Sequence, residues 1–134
     1  MPRLYREAPL NAIWEGAGNV IALDVLRALS RAPECGEALV NEISRASGDH
    51  SVLDREIGKL REALALAPQE REARRLVELM ATTWSASLLA RHAEPEFADA
   101  YIGSRLNGDW GSEFGTLSGA AATEAIARLA VPQI

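Results

Sequence analysis

Apolar residues in this chain recur three or four positions apart, with charges filling the gaps, which is the helical period. Over residues 20–31, Val20, Leu23 and Leu26 form one stripe and Ile21, Val25 and Leu29 a second. A helix apolar on two faces is covered by neighbours. Pro33 ends it. Residues 34–47 form the second helix, with Ala38, Leu39, Ile43 and Ala46 inward, and Gly48-Asp49 stops it. The third spans 50–66, capped by Asp49 or Ser51, with Val52 or Leu53, Ile57, Leu60 and Leu64 inward. Gly58 costs that helix about 1 kcal/mol against alanine unless a neighbour packs closely there. Pro68 stands where an N1 proline belongs, before the longest helix at 69–91. Its stripe reads Ala73, Leu76 or Val77, Met80, Trp84 and Leu88.

Glu94-Pro95 opens a fifth helix with Phe97, Tyr101 and Leu106 inward. Asn107-Gly108-Asp109-Trp110-Gly111 breaks it, and Phe114 anchors the following loop. A last alanine-rich helix covers 119–129, and the tail 131–134 has little to order it. Short loops make successive helices antiparallel, so the expected fold is an all-α bundle. There is no internal repeat or low-complexity linker.

Residues 4–27 break this rhythm. A polar opening, Tyr5-Arg6-Glu7, leads through Pro9 to a loop or short turn over 10–19, containing Trp14-Glu15-Gly16-Ala17-Gly18-Asn19. A carboxylate thus stands before two glycines and an apolar helix. Glycine lets backbone approach a ligand without an obstructing Cβ. A helix N-terminus offers free N–H groups to an anion such as a phosphate. Glu15 is then a candidate general base beside a phosphate seat. The plain structural alternative is a loop before a buried helix, with Asn19 as the N-cap and Glu15 solvated.

Composition narrows the class. Hydrophobic residues reach 48%, enough for a core in 134 residues, and aromatics are only 5%. Alanine and leucine dominate, which favours helices. Lys+Arg 14 against Asp+Glu 19 gives a net charge of -5, which does not attract nucleic acid broadly. The one cysteine, Cys35, excludes an intrachain disulfide. With no signal-peptide pattern, that suits a cytoplasmic setting. Cys35 reads as a passive thiol, and His50 and His92 as surface residues. Charges interrupt every apolar run, so no membrane span is expected. No Cys/His/carboxylate cluster has metal-ligand spacing.

The segment from Leu4 to Arg27 resembles the C-terminal part of the acyl-CoA dehydrogenase family. There a Tyr-Arg-acidic run precedes an aromatic-Glu-Gly segment, matched here by Tyr5-Arg6-Glu7 and Trp14-Glu15-Gly16. The likeness is densest to the AidB type, flavoproteins linked to the adaptive response to DNA alkylation. Its Ile-Trp-Glu-Gly-x-Gly-Asn and Leu-Asp-Val-Leu-Arg patterns are both present here. Beyond Arg31 the likeness is to a helical tail of weaker sequence.

The resemblance implies that residues 1–32 end the family's C-terminal helical domain and that 33–134 form an AidB-like helical extension. It implies that Glu15 removes the α-proton of an acyl-CoA thioester while hydride passes to FAD. Trp14, Gly16, Gly18 and Asn19 would line the flavin site, often from a neighbouring subunit. Ala17 replaces the family's usual Thr or Ser, removing a hydroxyl donor. The remaining domains, a helical and a β-rich one, would precede this chain. Alone it is expected to be inactive, without flavin, and prone to homo-oligomerise. The resemblance also raises DNA as a partner, with Arg55, Lys59 and Arg61 on one helix and Arg71, Arg74 and Arg75 on another. Glu56, Glu62, Glu70, Glu72 and Glu78 lie among them as helix-spaced ion pairs, and with the acidic total the plainer reading is a solvated face.

Overall fold

The computed structural model describes residues 2–12, 14, 16–66, 68–111, 116–117 and 120–130. The described residues form a helical bundle with no strand. The helices are α1 (Pro2–Glu7), α2 (Gly18–Arg31), α3 (Glu34–Ile43), α4 (Ser51–Ala65), α5 (Ala73–His92), α6 (Pro95–Tyr101) and α7 (Ala120–Ala130). Short 3-10 turns follow α1 and α3 and precede α5, and a π turn, Ile102–Leu106, extends α6. The expected Phe114 anchor and the tail 131–134 lie outside the described residues.

The long helix α5 is the axis, with α2, α3, α4 and α6 all packed against it. The core gathers Ile43, Leu53, Ile57, Leu60, Leu76 and Ile102. Within the expected pairs, Leu53 and Leu76 are the buried members. The α5 stripe differs from the expected one. Its inward row runs Ala73, Leu76, Met80, Thr83 and Ser87, with Ala86 beside it. Trp84 is 45% exposed and Leu88 also faces out, which corrects their core assignment. Small side chains at 83, 86 and 87 let neighbouring helices approach α5 closely, where an indole would hold them apart. Ser87 satisfies its buried hydroxyl by donating to the Ile43 carbonyl at 3.0 Å, tying α5 to the end of α3. Thr83 Oγ1 is buried with no partner among the described residues. Ala38 of α3 also points outward, while Ala46 is fully buried.

Helix starts differ from the expected caps. His50, not Asp49 or Ser51, caps α4: its backbone is extended and its Nδ1 accepts from the Val52 amide at 3.3 Å. The Asp54 carboxylate accepts from the Gly48 amide at 3.0 Å, bracing the same turn. Gly48 has a φ of 94°, the left-handed conformation that stops the preceding segment. Pro68 is not at N1 of the long helix. Gln69 and Glu72 form a reciprocal capping box around a 3-10 turn, and α5 begins only at Ala73. No helix of the described residues is long and apolar enough to cross a membrane.

Candidate functional site

The family-like motif sits on an arm. Neither α1 nor the 3-10 turn Ala8–Ala12 buries any residue. Leu4 and Leu10 are exposed, Tyr5 is 83% exposed and Trp14 is 62% exposed. Isolated helices this short are unstable in water, so such an arm is held by what it packs against. The Trp14 amide donates to the Leu10 carbonyl at 2.8 Å, starting the turn towards α2. Glu15, the candidate base, lies outside the described residues.

Gly16 follows with a φ of 119°, a conformation that side-chain-bearing residues rarely adopt. Gly18 opens α2, and a Cβ there would meet nothing within 4 Å. The N-cap is Ala17 and not Asn19, which lies inside the first turn of α2. Ala17 has the extended backbone of a cap but no side chain to serve it. Its carbonyl accepts from Val20 at 2.8 Å and Ile21 at 3.2 Å. That leaves the Gly18 and Asn19 amides as the outermost donors of α2. Val20 and Ile21 beside them, one from each apolar stripe, are also exposed, so α2 is uncovered at its first turn while both stripes are half-buried further on. Leu26 and Leu29 pack towards the core, and Ala22 is buried.

The basic candidates fall into two kinds. Arg55 Nε and Lys59 Nζ both reach Glu56 Oε1, at 3.0 and 2.8 Å. Glu56 is only 5% exposed, so both cations answer a sunken carboxylate. Arg55 also donates to the Leu106 carbonyl at 3.4 Å, fastening α4 to the π turn. Arg71, Arg74 and Arg75 are exposed around the start of α5. They meet no carboxylate within ion-pair distance among the described residues. They stand at a helix N-terminus, where positive charge is unfavourable. Sequence reasoning missed a further pair, Arg91 on α5 with Glu42 on α3 at 2.7 Å, with Arg45 also on Glu42 at 3.0 Å. The Arg91 and Arg45 hydrogen bonds hold the Glu42 carboxyl below the usual glutamate range. Cys35 is a free, exposed thiol. No group able to hold a metal occurs among the described residues.

An all-α bundle whose second helix follows an exposed Trp14 and a left-handed Gly16 is the class of segment that the sequence motifs pointed to. Comparison with known proteins agrees. The chain is 33% identical over 101 residues, 75% of its length, to the candidate acyl-CoA dehydrogenase AidB of Escherichia coli (strain K12). It is 28% identical over 114 residues, 79% of its length, to acyl-CoA dehydrogenase family member 11 of Caenorhabditis elegans. The chain is thus similar to proteins of the acyl-CoA dehydrogenase family over about three quarters of its length. It spans only 18% of the length of each relative. No family profile and no solved structure matches it.

Proposed function

We propose that this chain is a C-terminal helical portion of a flavin-dependent acyl-CoA dehydrogenase-like protein, which supplies one wall of a site completed by the rest of that protein. The observation that carries the reading is the exposure of Trp14, Ala17, Gly18 and Asn19, next to an arm, residues 2–12, that buries nothing in its own bundle. Residues 1–32 would complete the dehydrogenase's helical domain, and 33–134 would form an extension that braces α2 against α5.

The turn suits one edge of a flavin site. Gly16 takes a conformation few other residues hold, Gly18 leaves open space, and the exposed Gly18 and Asn19 amides would be free to donate to a phosphate oxygen. Trp14 would pack against the bound group or its neighbouring domain, and Asn19 would add a polar contact at the helix start. Bound FAD would accept the hydride. Glu15 would take the acyl-CoA α-proton on its carboxylate. Exclusion of water by the completing domains would raise its pKa and make it a stronger base. The isolated chain is expected to hold no FAD and to turn over no substrate, because in this reading the rest of that protein supplies the other walls of the site.

The second reading is a DNA-binding or subunit-assembly module. The assembly half is favoured by the exposed apolar arm. For DNA, Arg71, Arg74 and Arg75 are the freer cations, since Arg55 and Lys59 are held by Glu56. A salt-dependence measurement with duplex DNA separates the readings. Phosphate contacts by these arginines would give binding that falls steeply with salt and weakens on Arg74→Gln.

A further inference from the structure

Away from the motif, α2, α3 and the second half of α4 enclose a trough of about 680 Å³. That is the size of a small-molecule site, typically about 300–1,000 Å³. Its walls are Leu26 and Leu29 from α2, Val40 from α3 and Leu64 from α4. Gly36 keeps the floor low: a Cβ there would lie 3.3 Å from Leu29 Cδ2 and 3.7 Å from Leu64 Cδ1.

One end of the trough carries a fixed cation. Arg61 Nη2 donates to Ser44 Oγ at 2.8 Å, and Ser44 Oγ donates to the Val40 carbonyl at 2.6 Å. This relay pins the guanidinium to the end of α3 while leaving it further N–H donors. Arg27, Arg45, Arg55, Lys59 and Arg91 each lie on a carboxylate. Arg61 instead holds a neutral hydroxyl and has no acidic partner among the described residues. Asn41 adds an amide on the same rim. Glu37 stands one turn before Asn41 and repels a second negative charge from the middle of the trough. Pro33 and Pro68 line the other end, which has no charged group. The span along α3 from position 44 to 33 is roughly 16 Å at 1.5 Å per residue.

We infer that this trough binds an amphipathic monoanion: an apolar chain lying over Leu26, Leu29, Val40 and Leu64, with a single carboxylate on Arg61. A guanidinium fork fits a carboxylate better than any neutral head, and the uncharged far end suits a hydrocarbon tail.

The test uses the full chain labelled with ¹⁵N and titrated with sodium decanoate, and in parallel with decylammonium, followed by amide shifts. Saturable shifts at residues 26–41 and 61–65 are expected, with decylammonium binding more weakly. Arg61→Gln should weaken decanoate binding about tenfold, the effect of losing one charge-assisted hydrogen bond. Arg61→Lys should recover part of it, and Arg71→Gln should change nothing. Circular dichroism checks that each variant stays helical, as expected for a side chain on the surface of α4. Equal binding of both amphiphiles, an unaffected Arg61→Gln protein, or shifts centred on the arm around Tyr5 and Trp14 would each overturn the inference.

Discussion

Thr83 Oγ1 is the one buried side-chain polar atom without a hydrogen-bond partner among the described residues. Replacing it by valine keeps the shape and removes an unsatisfied hydroxyl. Thr83→Val should therefore stabilise the chain by about 1 kcal/mol, read as a higher urea midpoint with an unchanged slope. Gly58 lies inside α4, and a Cβ there meets nothing within 4 Å. The close packing that would have justified glycine is absent, so Gly58→Ala should add about 1 kcal/mol. Gly36 is the contrast, because leucine side chains from α2 and α4 already crowd its missing Cβ. The sequence shows all three residues but not their surroundings, and only the surroundings separate a glycine that is needed from one that is not.

At the scale of elements, Glu42 joins α3 to α5 through Arg91. Its carboxyl titrates lower in the folded chain than the usual glutamate value, with Arg91 the main cause and Arg45 the second. The stability this adds is fully present above the unfolded-state pKa and is lost as pH falls through the folded-state pKa. A Glu42→Gln protein should show a shallower loss of stability on acidification than the original chain, measured by urea melts across the acid range. An identical acid profile would show that the α3–α5 ion pair adds nothing.

Six of the seven helices among the described residues were legible, in order and approximate limits, because apolar residues recur there at helical spacing; α1 was not, because its six residues carry no such period. The facing of α5 was not. Two rows one position apart compete there, and the one carrying Thr83 and Ser87 is buried because small residues permit close packing. The His50 cap was equally hidden, since imidazole capping depends on ring placement that spacing does not reveal. Of the motif, the glycines and the helix that follows them were readable, but its start was not, since Ala17 and not Asn19 caps α2. The exposure of the arm was not, because it depends on what the arm fails to touch.

At the scale of the whole molecule, the proposed function requires a surface that other domains complete. Leu4, Tyr5, Leu10, Trp14, Val20 and Ile21 are all exposed on the arm and the start of α2, and apolar exposure gathered in one place marks an interaction surface. The isolated chain should self-associate as concentration rises, and a Tyr5→Ser/Trp14→Ser protein should sediment as a monomer under the same conditions. Titration with FAD should give no saturable binding, because one wall is not a pocket. The most direct test of the central claim restores the missing walls. In a chimera, this chain replaces the matched segment of an AidB-type protein, and acyl-CoA-dependent reduction of an electron acceptor is compared with and without Glu15→Gln. The expected result is a flavin-bound chimera in which Glu15→Gln keeps its flavin and loses about two to four orders of magnitude in rate. Unchanged turnover in the variant, or a folded chimera that holds no flavin, would contradict it.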